Sequence, residues 1–205
     1  MKKLLIFAII CASIGVLSIA ILIGAFLMSV IPKQYATSDI SDYGYYIGNK
    51  DNQFASEYIG KFFPEIIEDS FTDVTYSYRA QNYANYAFEA YLEFVIEDEK
   101  TFEKFISAKT SGIEPKTFSY DPSFIEYTLD DTLEIFILDS KDNENSKIEI
   151  RYAKIGKILC NAEEHRIIFV AMAMRDAWGA YSDYFCRYFD RFNIDPTNYE
   201  GVIIR

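Results

Sequence analysis

Between Leu4 and Ile31 the chain carries no charged residue across 28 positions. That absence excludes a water-exposed surface helix, which needs a polar face. Much of the usual side-chain chemistry is scarce elsewhere. There is one histidine, His165, one tryptophan, Trp178, and three cysteines, Cys11, Cys160 and Cys186. One His and two Cys beyond the apolar run give no zinc-ligand spacing, so no metal is expected. The nine glycines form no phosphate-cradling loop, and no cofactor is expected either. No internal repeat is visible. Cations are also short. After residue 32 there are 18 Lys and Arg against 31 Asp and Glu, a net charge of −13. Nucleic-acid binding and adhesion to anionic lipid both require basic patches, and this balance argues against them. It favours solubility and cationic partners.

As a helix, the uncharged run extends roughly 40 Å at ~1.5 Å per residue, against a hydrocarbon core about 30 Å thick. Residues 1–32 are therefore read as a transmembrane anchor built on a Leu4–Ile31 helix. The Met1 amine, Lys2 and Lys3 precede it and Lys33 follows. By the positive-inside rule the N-terminus is cytoplasmic and the remainder extracytoplasmic, in a single-pass cell-membrane protein. A cleaved signal peptide would have a shorter apolar region of about 7–15 residues. Ser18-Ile19-Ala20 could serve as its cleavage site, but the cut would leave Ile21–Ile31 as an exposed apolar tail, so retention is preferred. Ile10 before Cys11 is not the small residue a lipidation signal needs, and Cys11 reads as a small apolar side chain. Ala8, Ala12, Ala20 and Gly24 fall four apart in phase, a spacing that could seat a second copy as a homodimer. Small residues are equally ordinary in any single span.

Pro32, Gly44, Gly48 and scattered Ser, Asp and Asn mark residues 33–52 as a linker. Tyr35, Tyr43, Tyr45 and Tyr46 cluster there. Tyr35 suits the headgroup zone, where a ring is half apolar and its hydroxyl wet. All four are interface candidates, since Tyr suits recognition surfaces; the competing reading has them covering the domain's own flank.

Residues 53–205 hold 15 of the 17 Phe and most of the 17 Tyr, enough for one cored domain. Gln53–Phe62 reads as a short helix with Phe54, Tyr58 and Phe62 on one side. Val74–Tyr78 alternates like a strand, and Arg79–Tyr83 is turn-like. From Tyr86 to Ile96 a period of two predicts a strand with one face buried and one wet. Asp98 is placed to N-cap a helix carrying Phe102, Phe105 and Ile106, ended by Gly112 and Pro115. Phe124–Thr128 and the stretch from Leu133 to Ile137 read as strands. Lys147–Tyr152 pairs with the latter across the polar loop Asp139–Ser146. Gly156 marks a bulge or bend. Ile158–Cys160 and Ile167–Met174 form a second hairpin across Asn161–Glu164, and the latter strand, apolar on both faces, belongs mid-sheet. A helix over about Gly179–Phe192, with Trp178 just before it, carries the aromatic face of Trp178, Tyr181, Phe185, Tyr188, Phe189 and Phe192, and Val202–Ile204 adds an edge strand. The sum is an α+β fold, an antiparallel sheet packed by helices.

Candidate chemistry is sparse. With Asn161–Glu164 as the hairpin loop, Cys160 and His165 are its closing pair, their Cβ atoms about 5 Å apart. A thiol beside an imidazole is the thiol-hydrolase arrangement, with Asn161 and Glu164 available to orient the ring. The plainer reading is a buried Cys and a solvated His. On the outer face of a membrane Cys160 and Cys186 could bridge, and so large a loop gives roughly 3 kcal/mol in an unstrained case. The segment Asp139–Asn145 departs from a calcium loop, with Lys141 in the third slot. Acids Glu97, Asp98 and Glu99 are explained by a helix start. The expectation is a membrane-anchored extracytoplasmic binding module for a partner with a basic surface, non-catalytic. The alternative is a membrane-anchored hydrolase using Cys160 and His165.

Overall fold

The computed structural model describes residues 15–24, 33–44, 57–82, 86–138, 147–175, 187–195, 198–200 and 202–204. The chain divides into two compact units, Met1–Lys33 and Gln34–Arg205.

In the first unit residues 15–24 form a helix, α1. At about 100° per residue its apolar side chains point around the whole circumference. Val16, Leu17, Ile19, Ile21, Leu22 and Ile23 are each more than half exposed. Among the described residues no helix is long and apolar enough to cross a membrane. The rest of the Leu4–Ile31 run, including Ala8, Cys11 and Ala12 of the small-residue stripe, lies outside the described residues.

The second unit is an antiparallel sheet covered on both faces, with a few helices. Its strands are β1 (Lys33–Thr37), β2 (Phe71–Asn82), β3 (Tyr86–Ile96), β4 (Pro115–Thr117), β5 (Ile125–Leu138), β6 (Lys147–Asn161), β7 (Arg166–Arg175) and β8 (Ile203–Ile204). The sheet order is β1-β2-β3-β7-β6-β5-β4, and β8 pairs with β5. Two meanders, β1 to β3 and β4 to β7, each run from an edge inward and meet at β3 and β7. Helix α2 (Glu99–Lys109) carries the chain between them. Pairs from β2 to β4 are antiparallel, and β8 is parallel to β5.

The most regular alternation produces β3, with the bounds the sequence predicts. Its second face is not wet, however: residues 87 to 94 are all buried, Glu89 and Glu93 included. β7 is buried on both faces, as its unbroken apolar run predicts. The turn expected at Arg79–Tyr83 is strand as far as Asn82, held by the ladder to β3. The two strands expected within 124–137 are one strand, β5, with a register shift between Thr128 and Asp130. Asp98 caps α2 as expected, its Oδ1 accepting from Thr101 N at 2.9 Å. The residues read as a linker contribute β1, the 3-10 turn Ile40–Asp42 and a core residue, Tyr43. Burial of one aromatic and an open sheet edge to pair with outweigh the local Gly and Ser content.

The first face packs against Tyr43, residues 58–63 and α2. Tyr58, Ile59, Phe62, Phe63, Phe102 and Ile106 cover Phe88, Leu92, Phe94, Ile158 and Phe169. In its middle one row reads Tyr78–Ala90–Ala171–Gly156–Asp130 across five strands. Three small residues in succession leave a trough, and Tyr58 fills it. Its hydroxyl donates to Asp130 at 2.9 Å. A Cβ on Gly156 would lie 2.6 Å from that hydroxyl oxygen. Gly156 thus serves close approach, while the register shift falls on the partner strand. Gly156→Ala is expected to cost about 1–3 kcal/mol in urea unfolding by overpacking. The cost should shrink in a Tyr58→Phe background, where the clashing oxygen is gone. An equal cost in both backgrounds would contradict this origin.

The second face packs against the loop 118–124 and the C-terminal segment. Phe118, Phe124, Tyr188, Phe189, Ile194 and Tyr199 cover Tyr91, Leu133, Ile155, Leu159, Ile168, Val170 and Met172. Of the terminal helix expected over Gly179–Phe192, the described part is α3 (Arg187–Arg191); Trp178, Tyr181 and Phe185 lie outside the described residues. β8 forms where an edge strand is expected.

Candidate functional site

The hairpin that carries Cys160 and His165 turns one residue later than expected, which shifts its pairing by two. Its closing pair is Asn161 and Arg166, and Cys160 pairs with Ile167. The cause is local. Asn161 Oδ1 accepts from Glu163 N at 3.0 Å and Glu164 N at 3.1 Å, which fixes the turn at Ala162–His165. His165 ends this turn with φ of +49°, a left-handed conformation uncommon outside glycine that histidine adopts more readily than most side chains. Its ring stacks on Phe102 at 5.1 Å. Its Nδ1 lies 3.1 Å from the Glu97 carbonyl, which can only accept, so Nδ1 carries the proton and donates.

Cys160 belongs to the first-face core, and burial pushes its thiol up to about 12. A nucleophilic thiol needs the opposite environment. Asn161 and Glu164, expected to orient the imidazole, are engaged elsewhere: Glu164 accepts from Arg166 Nε at 2.9 Å. Cys160 is a free thiol, and Cys186, its proposed bridge partner, lies outside the described residues. Cys160 should react with iodoacetamide in the native protein far more slowly than in denaturant, at neutral pH. Comparable rates in both states would contradict its burial.

Of the four tyrosines, Tyr43 is not available to a partner. It is 2% exposed, its hydroxyl donates to the Pro64 carbonyl at 2.6 Å, and its ring meets Tyr76 edge-on. Tyr35 is half-buried on β1; Tyr45 and Tyr46 lie outside the described residues.

Two features were not visible in the sequence. The first is an acidic end of the sheet. The start of β2, the end of β3 and the β6–β7 turn meet there, joined by Ile96 N donating to the His165 carbonyl at 3.1 Å. Asp73, Glu97, Asp98, Glu99, Glu163 and Glu164 are all exposed at this end. Arg166 answers part of the charge, reaching Asp73, Glu93 and Glu164 at 2.8–2.9 Å.

The second is a set of charges buried on the second face. Three rows cross it: Thr75–Glu93–Ile168–Leu159–Glu126, Ser77–Tyr91–Val170–Lys157–Thr128 and Arg79–Glu89–Met172–Ile155–Asp131. At one side Lys157 Nζ donates to Glu126 Oε1 and Asp131 Oδ2, both at 2.9 Å. Tyr199 donates to the other Asp131 oxygen at 2.6 Å, and its ring lies 5.1 Å from the ammonium. Desolvation pushes the Glu126 carboxyl up, but Lys157, Thr128 and Lys116 outweigh it and hold the carboxyl below its ordinary value. At the other side Glu93 accepts from Tyr91, Arg166 and Arg191. Those donors outweigh desolvation, and its carboxyl is likewise held low. Glu89 differs. It is 1% exposed, and desolvation raises its carboxyl to about 7. Glu126 is charge-paired within the sheet and Glu93 also anchors the C-terminal segment through Arg191, so neither is a group poised to react. Among the described residues no group of three or more His, Cys, Asp or Glu is placed to hold a metal ion.

Fold and charge together define an α+β domain whose antiparallel sheet is covered on both faces and anchored by buried ion pairs. No family model, curated protein or solved structure matches the chain.

Proposed function

We propose that the chain is a single-pass membrane-anchored module that presents its acidic α+β domain outside the cell membrane and binds a partner with a basic surface. The observation that carries the reading is α1. It is an apolar helix exposed around its whole circumference, inside a 28-residue uncharged run. In water that surface would be a severe aggregation hazard, whereas lipid covers it on every side. The Lys2 and Lys3 pair supports a cytoplasmic N-terminus. The net charge of −13 beyond residue 32 supports a cationic partner. The exposed carboxylates around the β6–β7 turn are the part of that surface easiest to reverse. Burial of Cys160 removes support from the hydrolase alternative.

The test is a pull-down from envelope extract with the full-length protein in detergent. A captured partner should release as salt rises from about 0.05 to 0.5 M, where screening shortens severalfold in range. Capture should fall with Glu97→Lys and Glu163→Lys together. Capture that ignores both salt and charge reversal, or the absence of any partner, would overturn the electrostatic interface.

A further inference from the structure

We propose that the C-terminal segment beginning at Arg187 is a strap clamped over the second face of the sheet, and that ionisation of Glu89 loosens it as pH rises. The strap's polar contacts to the central strands end on carboxylates. Tyr188 N donates to Glu89 Oε1 at 3.3 Å, Arg191 Nη2 to Glu93 Oε1 at 3.3 Å, and Tyr199 hydroxyl to Asp131 Oδ1 at 2.6 Å. Beyond them Glu200 N donates to the Tyr120 hydroxyl at 2.7 Å. Between these points Tyr188, Phe189, Ile194 and Tyr199 seal apolar sheet surface.

Two of the three clamps are charge-balanced from the sheet itself. Glu93 has Arg166 and Asp131 has Lys157, whether or not the strap is down. Glu89 is the exception. Its Oε2 has no hydrogen-bond partner among the described residues. The charged groups facing it are Arg79 from β2 and Asp190 from α3, and the backbone N–H groups of Tyr188 and Arg187 also favour its charged form without outweighing desolvation. Its own row continues over β7 and β6 with Met172 and Ile155, which give no compensation. A neutral carboxyl suits that place, since its carbonyl oxygen can still accept from Tyr188 N. A carboxylate with one bare oxygen in the same place is costly, and lifting the strap hydrates it. The sign follows: the carboxyl is held above its ordinary value while the strap is down, so docking is strongest below about 4.5, weakens as pH rises from there to about 7 and is level above. Opening would uncover the apolar second face near β3 and β7 while leaving the first-face core intact.

Hydrogen exchange of the full-length chain in detergent, corrected for intrinsic rates at each pH, tests this. Protection of residues 187–195 should fall by up to about tenfold per pH unit between about 4.5 and about 7 and level off above, while β7 stays protected. In Glu89→Gln the strap protection should be flat across the same range. A flat wild-type profile would overturn the proposal, as would an equal fall in Glu89→Gln or a fall in β7 parallel to the strap. If Glu89→Gln does not fold, the wild-type profiles of strap and β7 decide the matter by the same criteria.

Discussion

Lys157→Met lowers the stability of the domain by about 3–5 kcal/mol at neutral pH, the cost of leaving buried charge without its counterion. The side chains of Lys157 and Glu126 are 3% and 2% exposed, and the ammonium is shared with Asp131. Methionine fills the space of the lysine stem but leaves two carboxylates facing an apolar row. Lys116, 3.3 Å from Glu126 and half exposed, can answer only part of that charge. The effect has a pH signature. The Glu126 carboxyl is held below its ordinary value in the folded protein, so its contribution is present above the unfolded carboxylate pKa and is lost as pH falls through the depressed value. The gap between wild type and Lys157→Met should therefore narrow in acid. Urea unfolding of the full-length chain at pH 7 and pH 4 measures both points. A loss under about 1 kcal/mol at pH 7 would show that the network is hydrated and weak, in the manner of a surface pair.

Phe169→Ala has a comparable effect by a different route, with an expected loss of about 3–5 kcal/mol. Phe169 is fully buried on β7, the strand where the two meanders meet. Its ring meets Phe63 at 5.4 Å, Phe94 at 6.0 Å, Phe105 at 6.3 Å and Phe62 at 6.5 Å. It therefore joins β3, α2 and the 57–63 segment in one contact set. Truncation opens a cavity that none of three separate elements can collapse into without leaving another partner. Loss of near-ultraviolet circular dichroism and weakened protection of both α2 and residues 57–63 should accompany the drop in midpoint. Phe169→Leu should cost clearly less. Equal costs for Leu and Ala would mean that ring packing is not what holds these layers together.

The β3 and β7 strands were legible as elements, one from its alternation and the other from an unbroken apolar run, although alternation did not show that both faces of β3 are covered. The cap at Asp98 was legible for the same local reason. Long-range pairing was not. Nothing near residues 79–82 announces a strand, yet β3 offers a complete ladder partner and the backbone takes it. Glu89 and Glu93 looked solvated because alternation alone cannot show that a second layer arrives from nearly a hundred residues away. The signal was present in another place: the aromatic face of Tyr188, Phe189 and Phe192 needed a sheet face to cover. The Cys160–His165 pairing failed because the turn moved by one residue, which shifts the ladder by two, puts Ile167 opposite Cys160 and leaves His165 inside the turn. Asn161, by capping the turn with its own side chain, decided that step. Tyr43 went inward because one open sheet edge and the Pro64 carbonyl were there to receive it.

The central claim is that the uncharged N-terminal run holds the chain in lipid with the acidic domain outside. Right-side-out membrane vesicles carrying the full-length protein, washed at alkaline pH and then treated with protease, test it most directly. The account predicts that the protein stays with the membrane through the wash and that external protease removes the domain after residue 33. Release into the wash, or a domain that external protease reaches only after the vesicles are opened, would contradict it.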